Sequence, residues 1–461
     1  MRYRLGFLLV AFLLPAAPAP AQRRPAPSPI ERQYREVAAR IIAAATADSA
    51  AWNRLAELTD TFGHRLSGSE ALERAIDWVM EQMKSDGLAN VRGEPVMVPR
   101  WVRGQERAEL RQPRYAPLPM LGLGGSIATP PGGIEAEVLV VSSFEELARR
   151  AGEAKGKIVL FDVPFTAYGQ TVRYRQTGAN EASRVGAVAM LLRSVGPFGM
   201  RTPHTGSMAP YDSTLKPIPA AAISMEDAAM LHRMQNRGQR IVVRLELSAH
   251  RLPDVPSRNV IGELVGREKP DEVVVLGGHI DSWDVGTGAV DDAGGVVAAW
   301  EAVRLLHRLG LRPRRTLRVV GWTNEENGLR GGQAYRDTHR EALGRHTLAI
   351  ESDGGIFKFR GFGFSGSDSA YAVVRQVGKL MAPLGADTVF RGGGGADIGP
   401  IMALGVPGMA HLVDGTRYFW YHHTEADNVD KIDPRELAEN VAAIAIMAYV
   451  IADLPGMLPR S

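Results

Sequence analysis

The sequence predicts an α/β fold, a mixed and mostly parallel sheet flanked by helices, interrupted by an inserted β-rich domain. Three observations predict it. Beyond Pro256, short apolar runs alternate with helical patterns. Between about residues 135 and 252, β-like runs dominate. A Pro- and Gly-rich stretch at 115–133 marks the entry to that segment. A chain of 461 residues also exceeds one ordinary core and divides into two or three domains.

At the start of the chain, Arg2 and Arg4 precede an apolar run at 5–14, and Ala19-Pro20-Ala21 offers small residues for cleavage. The run is shorter than the ~20 residues a membrane helix needs. Residues 1–21 are therefore expected to be a signal peptide. The mature protein is then exported, periplasmic or secreted, with no stable membrane span. Residues 22–29 form a Pro/Arg-rich lead-in. Helical periodicity covers 30–45, 50–61 and 70–86, the last opened by Ser69 and closed by Gly87. Residues 94–102 turn extended. The expected domains are 22–114, the N-terminal helical part of a catalytic domain, then 115–255, the insertion, and 256–461, the catalytic domain proper.

Within the insertion, strands are expected at 138–141, 158–161, 187–192, 220–223 and 241–247, with helices at 144–150 and 225–237. In the last segment, strands at 273–276, 317–322, 348–351 and 408–412 alternate with a helix at 294–309 and a final helix at 435–451. The apolar run at 441–452 is too short to span a bilayer and reads as a buried helix.

Composition narrows the chemistry. Basic and acidic residues nearly balance, 54 against 51, without a long Lys/Arg block in the mature region, so a nucleic-acid partner is not expected. There are no cysteines. Any metal must therefore sit on His, Asp and Glu, ligands suited to zinc, manganese or cobalt.

Such side chains gather where apolar strands end. The run at 273–276 leads to Gly-Gly-His279-Ile-Asp281, and a few residues later Gly-Ala-Val-Asp291-Asp292 opens a helix. The run at 317–322 leads to Thr-Asn-Glu325-Glu326, and 348–351 leads to Ser-Asp353. Tyr418-Phe-Trp-Tyr-His422-His423-Thr424 precedes the final helix. In a parallel sheet all strand exits share one edge, so these groups converge without a local motif. Adjacent carboxylates at the end of a buried strand cost desolvation and repulsion unless a cation compensates. Of His422 and His423, either could ligate. Gly361-Phe-Gly-Phe-Ser-Gly366 matches a dinucleotide-binding pattern, but neither the helix nor the βαβ unit it needs is evident.

In order and content, these elements resemble the co-catalytic zinc exopeptidases, which include bacterial aminopeptidases and glutamate carboxypeptidases. His279-Ile-Asp-Ser-Trp-Asp-Val-Gly286, Arg65-Leu-Ser-Gly-Ser69 and Tyr418-Phe-Trp-Tyr-His-His423 are most like the carboxypeptidase Q branch. The resemblance implies two zinc ions per chain, one held by His279 and Asp353 and the other by Glu326 and His423, bridged by Asp291. His423 is preferred to His422 because the family ligand precedes Ser or Thr. Asp281 is implied to orient the imidazole of His279, and Glu325 to act as general base on the attacking water. His422 or Tyr421 would assist the oxyanion, and Gly392–Gly395 resembles a loop near the cleft.

The inserted segment resembles a protease-associated domain. The implied substrate is a dipeptide or short peptide, with carboxypeptidase or dipeptidase action preferred to aminopeptidase action. A homodimer is also implied. Two other functions occur on related scaffolds: a non-catalytic receptor, disfavoured by the full ligand set, and a single-zinc glutaminyl cyclase, disfavoured by five ligand candidates.

Overall fold

The computed structural model describes residues 26–460, so the expected signal peptide at 1–21 lies outside the described residues. Ser28 caps the first helix, Pro29–Thr46, through a reciprocal capping box with Glu31. Helices Ala50–Phe62 and Glu70–Ser85 follow, the latter capped by Ser69.

Strand β1 (Ala89–Val102) leaves this helical layer. Next in chain order come β2 (Glu106–Gln112), β3 (Ala116–Leu118), β4 (Met120–Gly122), β5 (Ile134–Val141), β6 (Ile158–Phe161), β7 (Ala189–Arg193), β8 (Ala220–Ile223) and β9 (Val242–Leu247). They form one eight-stranded sheet in the order β3-β2-β9-β5-β6-β7-β8-β4. Its β5-β6-β7-β8 ribbon is parallel. Helices are frequent here too, including Arg173–Arg184, which the β-dominated pattern of the sequence does not announce.

The remaining strands are β10 (His250–Leu264), β11 (Lys269–His279), β12 (Arg315–Trp322), β13 (His346–Glu351), β14 (Phe359–Ser365), β15 (Val389–Arg391) and β16 (Gly408–Val413). With β1 they build a second sheet, ordered β1-β10-β12-β11-β13-β16-β14-β15. Its centre, β12-β11-β13-β16, is parallel. Antiparallel pairs β1/β10, β10/β12 and β14/β16 flank that centre.

Alternation along the central strands serves two cores. Val274 and Leu276 pack with the N-terminal helices, Gly294–Arg308 and Pro434–Asp453. Val273 and Val275 pack on the other face with Trp322, Tyr335 and Ile401. The final helix is buried nearly all round from Leu437 to Asp453, as its apolar run from Val441 to Ala452 requires. No helix among the described residues is long and apolar enough to cross a membrane.

The Gly361-x-Gly363 pattern has a packing explanation. It lies in β14, not ahead of a helix. A side chain at Gly361 would meet the Thr388 carbonyl at 2.2 Å, and one at Gly363 the Gly392 carbonyl at 2.5 Å. These glycines let β15 and the following loop approach β14.

At the start of β13, the Tyr335 hydroxyl lies 2.9 Å from Nε2 of buried His346, whose Nδ1 reaches the Ala342 carbonyl at 3.1 Å. Burial, aided by the nearby Arg318 cation, lowers the His346 pKa from its usual 6.5 to about 4. The unfolded chain therefore takes up a proton that the folded chain refuses. The stability from neutral His346 is complete above pH 6.5 and is lost as pH falls toward 4, about 3 kcal/mol over that window. Urea unfolding at pH 7 and pH 4.5 checks this: His346→Gln should lose about 2 kcal/mol less than the wild type on acidification. Equal losses would refute it.

Candidate active site

The parallel strands deliver the predicted residues to one edge. His279 ends β11, the Glu325-Glu326 turn follows β12, and Asp353 follows β13. Asp291 sits in the irregular turn Ala289–Ala293 ahead of helix Gly294–Arg308. His423 follows the short helix Tyr418–Tyr421 with φ at +60°, and Asn324 before the glutamates has φ at +67°. Both are left-handed conformations uncommon in side-chain-bearing residues, though Asn and His adopt them more readily than most.

The five residues converge. Asp291 Oδ1 lies 3.2 Å from His279 Nε2, which lies 3.5 Å from Asp353 Oδ1. The other oxygen, Oδ2, lies 3.2 Å from His423 Nε2, which lies 2.9 Å from Glu326 Oε2. Asp291 thus turns one oxygen to each of two His–carboxylate pairs. Oδ2 is buried and makes no hydrogen bond despite this proximity. Ligand atoms placed tetrahedrally ~2.0–2.1 Å from one zinc ion stand roughly 3.3 Å apart. The observed spacings bracket that value, so the donor set fits a pair of cations.

His422 is further away, 3.7 Å from Asp291 Oδ2, with its ring stacked on that of His423 at 3.5 Å. His423 is therefore the better placed of the two. Glu325 lines the same cleft, a space of about 1300 Å³ that also exposes Asp291, Glu326 and Asp353.

Asp281 acts differently from the sequence-based expectation. Its main-chain carbonyl, not its carboxylate, receives Nδ1 of His279 at 2.9 Å, whereas the nearer carboxylate oxygen stands 3.8 Å from that nitrogen. The carboxylate accepts the Glu325 and Glu326 N–H groups at 3.1 and 3.3 Å, and the Ser67 hydroxyl at 3.2 Å. Asp281 therefore fixes the Glu-Glu turn with its side chain and His279 with its backbone.

The comparisons agree with this geometry. The model of peptidase family M28 matches residues 259–448. Carboxypeptidase Q of Mus musculus is 47% identical over 410 residues, covering 89% of this chain and 87% of the relative. The crystal structure of a peptidase M28 precursor from Shewanella amazonensis superposes with a TM-score of 0.90 at 38% identity, covering 94% of this chain and 99% of that one.

The chain belongs to peptidase family M28.

A zinc aminopeptidase from Bacillus subtilis shares the fold, with a TM-score of 0.64 at 20% identity over 87% of this chain and 94% of that one. Like other members of the M28 family, this protein is a peptidase, and its substrate is a peptide.

Electrostatics mark the M28 cleft as built for cations. Burial opposes ionisation of Asp291, but the His279 contact and the nearby His423 and His422 imidazoles overcome it and hold its pKa well below the ordinary range. Burial pushes Glu325 well above the ordinary range, with help from the charges of Asp353, Glu326 and Asp281. Burial and the charge of Asp291 raise Glu326 to about 7. Left uncompensated, the cluster resists its own ionisation, and positive charge relieves it.

Asp292, Tyr418 and Asp427 contribute although the sequence alone assigns them no role. Asp292 accepts the His279 N–H and the Gly295 N–H, both at 3.1 Å, tying β11 to the following helix. Tyr418 lines the cleft, where burial and the charges of Asp291 and Asp353 keep its phenol protonated as a donor. Tyr421 instead packs against the main core. None of Gly392–Gly395 lines the cleft: a side chain on Gly395 would collide with the Glu351 carboxylate, so that loop closes over Glu351. Asp427 accepts the Val290 N–H at 2.6 Å and the Asp291 N–H at 3.1 Å. Removing it strands two buried donors, each worth about 1–3 kcal/mol. Asp427→Ala should therefore lower the unfolding free energy in urea by about 2–4 kcal/mol, and Asp427→Asn by less, because one acceptor survives. An Ala variant as stable as the wild type would show that this carboxylate does not hold the Asp291 turn.

Proposed function

We propose that this protein is an exported metallo-exopeptidase that releases the C-terminal residue of dipeptides and short peptides, using two zinc ions. The observation that carries the reading is Asp291, whose two oxygens serve two separate His–carboxylate pairs. His279 and Asp353 would hold one ion, Glu326 and His423 the other, and Asp291 both. When bound, the ions supply Lewis-acid polarisation of the scissile carbonyl and lower the pKa of water at the site.

The chain's own groups do the rest. Glu325 takes a proton from the attacking water and passes it to the leaving amine. Asp281 keeps Glu325 facing the cleft while its neighbour Glu326 faces His423. Tyr418 offers a neutral O–H from the cleft wall to charge developing on the substrate.

Identity with a carboxypeptidase Q over most of both chains supports C-terminal rather than N-terminal action. The retained ligand candidates disfavour a non-catalytic receptor. We further take the inserted segment, expected at 115–255 and carrying the sheet that runs from Glu106 to Leu247, as a protease-associated cover over the cleft. The same reading expects removal of residues 1–21 and a homodimer, which N-terminal sequencing and sedimentation would check.

Purified protein assayed on a dipeptide set, with and without chelator, tests the core of the proposal. Hydrolysis should vanish with chelator and return with zinc, and C-terminal amides should be poor substrates. Chelator-resistant hydrolysis, or ready cleavage of amides with refusal of amino-blocked peptides, would replace it with another mechanism or with aminopeptidase action. Glu325→Gln should lower kcat by about 10²–10⁴-fold while zinc content stays at the wild-type level. Unchanged kcat would remove Glu325 from its role as base.

A further inference from the structure

We propose that Ser67 is a positioning residue for the hydrolysis, one buried hydroxyl that holds the Glu325-Glu326 turn against the loop between His279 and Asp291. This rests on the dizinc peptidase reading above and names what aims its base. Ser67 lies on the strap between helices Ala50–Phe62 and Glu70–Ser85. It is 2% exposed and does not line the cleft, so it acts only through its neighbours. Those neighbours are 214 and 257 residues away in sequence.

The hydroxyl both donates and accepts. It donates to Asp281 Oδ2 at 3.2 Å and accepts Asn324 Nδ2 at 3.0 Å. Asp281 stands behind the turn, where its carboxylate accepts the Glu325 and Glu326 N–H groups. Asn324 stands immediately before the two glutamates. Its side-chain oxygen accepts the Arg330 N–H at 3.3 Å, and its carbonyl the Leu329 N–H at 2.6 Å. The turn is thus gripped at two points, and Ser67 ties one grip to the other.

The strap itself is anchored to the other ligand loop. Two residues before Ser67, the guanidinium of fully buried Arg65 donates to the carbonyls of Ile280 at 2.9 Å, Thr287 at 2.7 Å and Gly288 at 3.0 Å. The Arg65 N–H donates to the Ser282 hydroxyl at 2.9 Å, and its carbonyl accepts the Ser282 N–H at 3.1 Å. Leu66 packs in a small core with Trp101, Trp283 and Val285. Residues 280, 282, 287 and 288 all lie between His279 and Asp291. The strap therefore moves with that loop, and the Ser67 hydroxyl passes its position on to the turn after β12.

Satisfying buried polar atoms does not account for Ser67. Without it, Asp281 Oδ2 would keep the Glu326 N–H, and Asn324 Nδ2 would keep Asn327 Oδ1. What the hydroxyl adds is the link between them. The chemistry is sensitive to such a link. Glu325 must meet the attacking water within hydrogen-bond reach, and a misplacement of about 1 Å costs on the order of 10²-fold in rate. Glu326, the next residue and a proposed zinc ligand, faces His423 at 2.9 Å. Groups standing behind such a ligand are worth about 10- to 100-fold in metal affinity.

The test measures kcat and KM on a dipeptide at saturating zinc, and zinc affinity separately by competition with a chelator. Ser67→Ala should lower kcat about 10- to 30-fold with KM within about 3-fold of the wild type, and should weaken the more labile zinc about 10-fold. Ser67→Thr, which keeps the hydroxyl, should recover both. Ser67→Cys, similar in size but a weaker donor, should fall between and serves if the Ala variant fails to fold. Asn324→Gly keeps the left-handed backbone but cuts the same link from the other end. Adding Ser67→Ala to it should therefore cost less than about 3-fold more in kcat. A purely structural hydroxyl would lower the unfolding midpoint and leave kcat and zinc affinity at wild-type values, which overturns the proposal. So would losses that multiply in the double variant, or a rise in KM with kcat unchanged. Full kcat in Glu325→Gln would defeat the base reading alone, because zinc affinity, set through Glu326, decides the role of Ser67 independently.

Discussion

The site depends on how buried negative charge is distributed. Asp281, Asp291, Asp292, Glu326, Glu351 and Asp427 are all nearly or fully buried around the ends of three parallel strands. They fall into two groups by what their oxygens accept. Asp281, Asp292, Asp427 and Glu351 take main-chain N–H groups, respectively from the Glu325-Glu326 turn, from His279 and Gly295, from Val290 and Asp291, and from Ile398. Asp291, with the half-buried Asp353, turns oxygens to imidazoles instead, and Glu326 does both, accepting the Trp283 N–H on Oε1 at 3.2 Å and facing His423 with Oε2. The first group spends its hydrogen-bonding capacity on fixing the loops. The second keeps its capacity for cations. A loop network made of ordinary turns would leave the ligand loops free to relax apart from one another, and the repulsion within the cluster would drive that relaxation.

The sheet makes this crowding possible because its exits are in register. His279 pairs with Trp322 across β11 and β12, and Gly277 with Glu351 across β11 and β13, so the loops leave at nearly one level. Close approach is then a matter of small residues. A side chain on Gly278 would strike the Asp292 carboxylate at 2.1 Å, and one on Gly295 the Ser352 carbonyl at 2.0 Å. These glycines bring β11, the Asp292 turn and the exit of β13 into van der Waals contact, the distance at which one bridging carboxylate serves both pairs.

Much of this was legible in the sequence, and for a physical reason. Parallel central strands are buried on both faces, so they read as unbroken apolar runs, and the polar residues after them stand out. His279, Asp281, Glu325, Glu326 and Asp353 stand at or just past such exits, whereas Asp291 lies in a turn ahead of a helix and His423 follows a short helix. The flanking strand β10 was not read, because from His250 to Val255 it pairs only with β1 and stays exposed, mixing Arg, Pro and Asp into its pattern. Asp281 was assigned to the imidazole of His279 on the family resemblance alone. The fold instead brings in the Glu-Glu turn more than 40 residues away, and leaves the imidazole to the Asp281 carbonyl.

The inserted segment is bound to the chemistry through more than one contact. The Thr205 N–H donates to the His423 carbonyl at 2.9 Å, and the Ser207 hydroxyl to the Glu326 carbonyl at 2.9 Å. Tyr168 stacks on Phe419 at 4.9 Å, and Phe198 meets Trp420 at the same separation. Two proposed ligands thus owe part of their backbone placement to this segment, and His423 holds a left-handed conformation that needs such support. A segment tethered this way cannot swing wide without giving up hydrogen bonds to His423 and Glu326. Substrate must fit the space that exists. At about 1300 Å³ the cleft is only somewhat larger than the ~300–1,000 Å³ pockets that enclose drug-sized ligands, which suits a few residues rather than a folded chain. Loosening the Thr205 and Ser207 contacts would be expected to cost ligand geometry before it admitted anything longer.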